Sequence, residues 1–326
     1  MAAETTWDPL IGRLMGSYRL EKLIGEGGMG RIYLARHARI GRKAAVKVLS
    51  AEAARDSHAV SRFFHEAKAA GEASHENLVE VYDFIRDKDT GCCAYIMEFL
   101  EGEDLRQVLM RERRIKPERA MHIGAQLAAG LGAAHAMGVV HRDVKPENVY
   151  LIERAGIPDF VKLLDFGVAK FATAVAHKTQ AGFAVGSPYY MAPEQTLAKD
   201  IDGRADLYAI GIIMYEMLAG RVPFDGAKNS EIYRKHCEDP LPPLRPDYGM
   251  GTIPPALMGV IKRALAKKAD ERYQTASELR AAILSSSDET LGEEEEEDSE
   301  EPTKTQKVKA PRDTVIGTGP VSGRRR

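Results

Sequence analysis

The chain has 326 residues, 44% of them hydrophobic, and a formal net charge of −2. That length fits one large or two smaller domains, and a near-neutral balance gives no basis for binding nucleic acid or an anionic membrane. Cys92, Cys93 and Cys237 are too few and too poorly spaced for a disulfide framework or a zinc site, which fits a reducing compartment and a cytoplasmic location.

The N-terminal "MAAETTWDPLIG" lacks the basic start and apolar core of a secretory signal. Residues 1–17 read as an extension. From residue 18 to 50, "YRLEKLIG", "RIYLARH" and "KAAVKVLS" have strand character, with turns between them. Phe63, Phe64, Ala67 and Ala70 recur at helical spacing, which predicts a helix over residues 57–73. "LVEVYDFIRD" and "CCAYIMEFL" return to strands. After "LEGEDL" the pattern becomes helical. Pro117 suits a first helical turn and Gly138 a stop, with Leu127, Leu131, Ala134 and His135 on one face. Residues 204–219 predict a buried helix ended by Gly220; its apolar core, 207–218, is too short to span a bilayer and contains Glu216. In "TASELRAAIL", Thr275 and Glu278 have the spacing of a capping box. Beyond residue 284 an acidic block and a basic, Thr- and Gly-containing tail cannot bury enough apolar surface to order themselves. The expectation is an α+β chain of two unequal lobes: a small strand-rich lobe with one main helix (18–99) and a larger helical lobe (104–284). The lobes join near Phe99–Asp104, and a disordered tail (285–326) follows.

Several stretches carry chemistry. "GEGGMGRIY" holds Gly25-x-Gly27-x-x-Gly30. Alone this is a flexible turn or a dinucleotide fingerprint, but the latter needs a helix after the glycines. Strand-like "RIYLAR" follows here, so a hairpin whose backbone N–H groups approach phosphates fits better. Lys47 sits inside the apolar strand "AAVKVL", either at a surface edge or as a cation aimed at phosphates and held by a carboxylate. Glu66, 19 positions on, can supply that carboxylate. "HRDVKPENVY" (141–150) crowds His141, Arg142, Asp143, Lys145, Glu147 and Asn148 beside strand-like sequence, and Pro146 excludes regular helix.

With "DFG" at 165–167 and "APE" at 192–194, these pieces occur in one order, and over residues 18–284 the chain resembles the eukaryotic-like protein Ser/Thr kinase family, bacterial members in particular. The resemblance implies the bilobal protein-kinase fold and transfer of the ATP γ-phosphate to Ser/Thr hydroxyls of protein substrates, with Mg²⁺ as cofactor and Mn²⁺ as a substitute. It implies that Asp143 accepts or orients the substrate hydroxyl proton and that Lys145 neutralises charge at the γ-phosphate. Asn148 and Asp165 would hold the metal through hard oxygen atoms. Lys47, held by Glu66, would contact the α- and β-phosphates. Ile24, Gly25, Glu26, Gly27 and Gly30 would cover the nucleotide, with Ile32 and Ala45 above the adenine. Met97 would be the gatekeeper, and backbone groups of Glu98 and Leu100 would read the adenine edge. Tyr150 stands where the family often has Leu or Met below the ring. His141 and Phe166 would belong to a packed spine. Glu194 would pair with Arg272, and Asp206 would hydrogen-bond the catalytic-loop backbone.

In this family the arginine before the catalytic aspartate, here Arg142, often pairs with a phosphorylated activation loop. Thr179 is the first candidate for that phosphate, beside Thr173 and Ser187. Thr303, Thr305 and Thr314 in the tail are candidate phosphosites for a phosphothreonine-binding partner, and "DTVIG" resembles segments such domains read. Bacterial relatives suggest a homodimer through the small lobe. Two other classes compete. Against a pseudokinase scaffold stand Lys47, Glu66, Asp143, Asn148 and Asp165, all present; against a small-molecule phosphotransferase stands the peptide-platform segment "GSPYYMAPE".

Overall fold

The computed structural model describes residues 8–27, 30–87, 91–165, 187–197, 200–244 and 252–286; the side chains of residues 62, 65, 66, 69 and 70 are outside the description. The first lobe contains β1 (Leu14–Met15), β2 (Tyr18–Gly27), β3 (Gly30–His37), β4 (Lys43–Leu49), α1 (Ser57–Glu72), β5 (Val81–Arg86) and β6 (Cys93–Met97). The strands form one sheet in the order β1-β2-β3-β4-β6-β5, antiparallel throughout. Its first strand precedes residue 18, and Asp8 accepts a 2.8 Å hydrogen bond from the Tyr33 hydroxyl, so the segment before residue 18 packs on this lobe.

The sheet is buried on both faces, which is why β4 reads as a nearly continuous apolar run. Ala45, Leu49, Tyr95 and Met97 face the main core, while Ala44, Val46, Val48 and Ile96 face a second core closed by Leu20, Tyr33 and Ala35. Phe63 and Ala67 of α1 are buried, but Phe64 is 43% exposed and packs edge-on against Phe84. Periodicity had put Phe64 on the inner face; it lies at the border of that face.

The second lobe contains β7 (Gly102–Asp104), α2 (Leu105–Glu112), α3 (Pro117–Ala136), β8 (Val149–Arg154), β9 (Ile157–Leu163), α4 (Pro193–Thr196), α5 (Arg204–Ala219), α6 (Asn229–Glu238), α7 (Pro255–Ala264) and α8 (Ala276–Ser285). Helix α3 has Pro117 in its first turn and is followed by Gly138 at φ +74°; α5 is capped by Gly220 at φ +73°, a conformation glycine adopts without a Cβ penalty. The N-terminus of α8 differs from a reciprocal capping box. The Thr275 hydroxyl accepts from the Glu278 N–H at 3.1 Å, but the Glu278 carboxylate accepts from the Gln274 N–H, one residue earlier than the cap.

The lobes are tied beyond their covalent linker. Leu163 exchanges backbone hydrogen bonds with Asn77 and Val79 at 2.8 and 3.0 Å, so the loop after α1 hooks onto the end of β9. Among the described residues no helix is long and apolar enough to cross a membrane.

His236 of α6 is wholly buried. It hydrogen-bonds the Tyr208 hydroxyl at 2.8 Å and packs against Phe224, while the Lys267 ammonium lies 4.1 Å from that ring and donates to the His236 carbonyl. Burial, then Lys267, pushes the imidazole from 6.5 down to about 3. The unfolded chain therefore binds a proton between those values that the folded chain does not, and folding stability falls as pH drops below 6.5. Urea unfolding at pH 7 and pH 5 should show His236→Gln with a flatter acid limb than wild type, the difference approaching about 1.4 kcal/mol per pH unit.

Candidate active site

The site lies where the sheet of the first lobe meets the loop between α3 and β8. Two ladders cross the sheet in register. One aligns Gly25, Ile32, Lys47 and Tyr95; the next aligns Leu34, Ala45 and Met97. Paired residues share a face, so Ile32, Ala45, Lys47 and Met97 are brought together from three strands. The glycine-rich segment is a hairpin between β2 and β3, with Gly27 opposite Gly30, rather than a strand-to-helix turn. A Cβ on Gly30 would lie 2.0 Å from the Val48 carbonyl oxygen, so only glycine fits. Ile24 is 44% exposed beside a bulge at Leu23–Gly25, and the Glu26 carboxylate accepts from Arg31 at 2.9 Å.

Segment 141–148 is held from below. Asp206, in the first turn of α5 and 1% exposed, accepts the His141 N–H and the Arg142 N–H, each at 2.8 Å, and meets the His135 ring at 2.8 Å. The imidazole of His135 packs so close to Gly203 that a Cβ there would lie 2.7 Å from it. Arg142 has φ +67°, a conformation L-residues avoid, and its carbonyl accepts from Gln195 at 3.0 Å. Its peptide is thus pinned at both ends.

His141 is wholly buried, with Nδ1 accepting from the Asp143 N–H at 3.2 Å and Nε2 against the Leu164 carbonyl at 2.9 Å. The neutral Nε2–H tautomer satisfies both contacts. Asn148 donates from Nδ2 to the Asp143 carbonyl at 2.8 Å, and its own carbonyl accepts from the Leu164 N–H at 2.8 Å. The residue before Asp165 is therefore bound by two members of the same loop. Lys145 pairs with Asp143 at 3.1 Å, and Asp143, Lys145, Arg142 and Ser187 line one cavity.

Asp165 has φ +45° and pairs with Lys47 at 2.9 Å. Burial opposes its ionisation, but the Lys47 ammonium and the Tyr95 hydroxyl outweigh burial and hold the carboxyl below the usual carboxylate range. The side chain of Glu66, the expected partner of Lys47, lies outside the description, as do Phe166, Gly167, Thr173, Thr179, Thr303, Thr305 and Thr314. For a divalent cation the donor set fits. The Asn148 amide uses its nitrogen toward Asp143, leaving its oxygen as a hard ligand, and Asp165 adds a carboxylate.

In the linker, Leu100 is half-buried. The Glu98 carboxylate is turned to Lys162 at 2.6 Å and to the Glu80 N–H at 2.8 Å, while the Glu98 N–H donates to the Glu80 carbonyl at 2.9 Å. Tyr150 is half-buried on β8, opposite Asp104 and Lys162, and burial raises its phenol above the ordinary value. Glu147 ion-pairs with Arg106 of α2 at 3.2 Å. Arg106 also binds Glu216 at 2.8 Å and the Tyr190 hydroxyl, which itself donates to Glu216 at 2.6 Å. Glu194 and Arg272 form the expected pair through two bonds of 2.7 and 2.8 Å.

Sequence inspection missed Tyr95, Lys162, Arg106, Tyr190 and Gln195 as parts of this assembly. Lys162 and Glu216 carried a signal, each being a lone charge inside an apolar run. Arg106 and Gln195 carried none.

A two-lobed fold with a sheet-borne lysine paired to Asp165, next to a loop that joins Asp143 to Asn148, defines a phosphotransfer class of protein. The protein kinase domain family matches residues 18–282, and the chain belongs to that family, in its bacterial eukaryotic-like serine/threonine branch. It is 43% identical over 276 residues to the serine/threonine-protein kinase Pkn1 of Myxococcus xanthus, covering 85% of this chain and 39% of that one. Against PknB of Mycolicibacterium smegmatis the figures are 38% over 275 residues, 83% and 43%. The chain thus spans about half or less of these curated relatives. The crystal structure of the Mycobacterium tuberculosis PknI kinase domain superposes with a TM-score of 0.63 at 28% identity, covering 85% of this chain and 98% of that one. Family membership carries with it the use of ATP and a divalent metal in general.

Asp206→Ala removes the acceptor for two buried backbone N–H groups. Chemical denaturation should show a loss of about 3–5 kcal/mol, with Asp206→Asn, which keeps one oxygen, losing less.

Proposed function

We propose that the chain is an ATP-dependent protein serine/threonine kinase acting in bacterial signalling. The observation that carries the proposal is the Asp143 carboxylate, paired with Lys145 at 3.1 Å, in a loop where Asn148 donates to the Asp143 backbone carbonyl at 2.8 Å. A Ser or Thr hydroxyl of a protein substrate presented to Asp143 delivers its proton there as its oxygen attacks the γ-phosphorus, and the bond from that phosphorus to the β,γ-bridging oxygen breaks to release ADP. Lys145, beside Asp143, offsets the negative charge that gathers on the transferring group. Lys47 contacts the α- and β-phosphates, Ile32 and Ala45 cover the adenine, Met97 limits its depth, and Tyr150 underlies it. Asn148 and Asp165 would hold a divalent cation, Mg²⁺ with Mn²⁺ as a substitute, which when bound would neutralise phosphate charge.

Loop autophosphorylation at Thr179, with Arg142 as the phosphate's partner, rests on the sequence resemblance. The same is true of the alternatives Thr173 and Ser187, of phosphothreonine-dependent docking at Thr303, Thr305 or Thr314, and of a small-lobe homodimer. None of the three cysteines forms a disulfide, which fits a cytoplasmic setting.

With radiolabelled ATP and Mg²⁺, wild type should label itself and a Ser/Thr protein substrate. Asp143→Asn should reduce incorporation about 10²–10⁴-fold. Equal background labelling by both would exclude an enzyme; label on a sugar or antibiotic but never on protein would exclude a protein kinase.

A further inference from the structure

Tyr95 is buried at 3% exposure on β6, directly opposite Lys47 in the β4–β6 ladder. Its ring packs against Phe63 of α1 at 4.9 Å, and the Lys47 ammonium lies 5.5 Å from the ring centre. Its hydroxyl reaches across to the other lobe and meets Asp165 Oδ1 at 3.1 Å. Lys47 meets the same oxygen at 2.9 Å. Two donors thus converge on Oδ1, and among the described residues no hydrogen bond to Oδ2 accompanies them. A carboxylate accepts only, so the phenol must donate.

We propose that Tyr95 is a positioning residue that fixes the Asp165 carboxylate through Oδ1, so that Oδ2 is presented to the divalent cation. The inference rests on Asp165 as a metal-holding group. Its logic is one of division of labour. Lys47 has a single charge, and when phosphates draw it away the Asp165 carboxylate loses its strongest tether. The neutral phenol has no such competing demand. Its ring is locked by strand register and by Phe63, so its hydroxyl continues to hold a carboxylate whose backbone, at φ +45°, is itself strained. Hydrogen bonds to charged groups are among the stronger ones in proteins, and geometry held before ligand arrives lowers the cost of binding.

The test is Mn²⁺ affinity, read by electron paramagnetic resonance on the full chain saturated with the non-hydrolysable analogue adenylyl imidodiphosphate. Tyr95→Phe keeps the ring and its packing while removing the hydroxyl. It should weaken Mn²⁺ binding about 3–10-fold, a part of the value of one hydrogen bond to a charged group. Analogue affinity without metal should match wild type, and the metal-free melting temperature should fall only by the loss of that one bond. Asp165→Asn should weaken Mn²⁺ binding further. Unchanged Mn²⁺ affinity in Tyr95→Phe, with a weakened Asp165→Asn, would overturn the role of Tyr95 and leave Asp165 as the metal group. If neither variant weakens binding, both ideas fall. An equal loss of metal affinity and metal-free analogue affinity in Tyr95→Phe would mark the hydroxyl as merely structural and also overturn the proposal.

Discussion

The buried carboxylate of Asp206 is the constraint from which the site is built. Arg142 stands in the left-handed region at φ +67°, a conformation that costs an L-residue about 1–2 kcal/mol. It persists because Asp206 takes the N–H groups of residues 141 and 142 while Gln195 takes the carbonyl of residue 142. A carboxylate at the first turn of α5 is favoured there by the partial positive charge of the helix terminus. The remaining contacts follow in sequence: His141 is oriented between the Asp143 N–H and the Leu164 carbonyl, and Asn148 holds both Asp143 and Leu164. Asp165 is then delivered, one residue later, opposite Lys47.

Around this frame the buried charges work as cross-braces between segments distant in the chain. Arg272, with a fully buried side chain, spends two donors on Glu194 and others on the carbonyls of Ala266, Lys267 and Arg204. Removing either partner would leave a buried charge uncompensated, a far larger effect than losing an exposed pair such as Arg234–Glu238. Lys162 links β9 to the interlobe linker through Glu98 and to the loop after α1 through the Leu78 carbonyl. Arg106 joins α2, the 141–148 loop, α5 and the segment at Tyr190. Through Arg106 the segment at Tyr190 is linked to Glu147 of the loop that carries Asp143.

Much of this was legible beforehand, and the exceptions are physical. The limits of α3 and α5 were marked by Pro117, Gly138 and Gly220, because backbone restriction is a local property. The hairpin at Gly25–Gly30 was legible because strand-like sequence follows it. Phe64 lay at the edge of its helical stripe, where spacing alone does not separate a core residue from a half-covered one. Glu278 had the right spacing for a reciprocal cap yet bonds one residue earlier, since side-chain direction at a helix start depends on how the preceding segment enters.

By itself the sequence determined helices α1, α3, α5 and α8 and the strand-rich lobe, because periodicity and turn chemistry act over a few positions, while Asp143, Lys145, Asn148 and Asp165 were singled out by resemblance of their motifs. Only the tertiary structure decided that Tyr95 lies opposite Lys47 and reaches Asp165, that Lys162 meets Glu98, and that Arg106 gathers Glu147, Glu216 and Tyr190. Those pairings depend on strand register and on how two lobes close. A shift of a single residue in β6 would have turned Tyr95 to the opposite face and left the hydroxyl nowhere near the carboxylate it now holds.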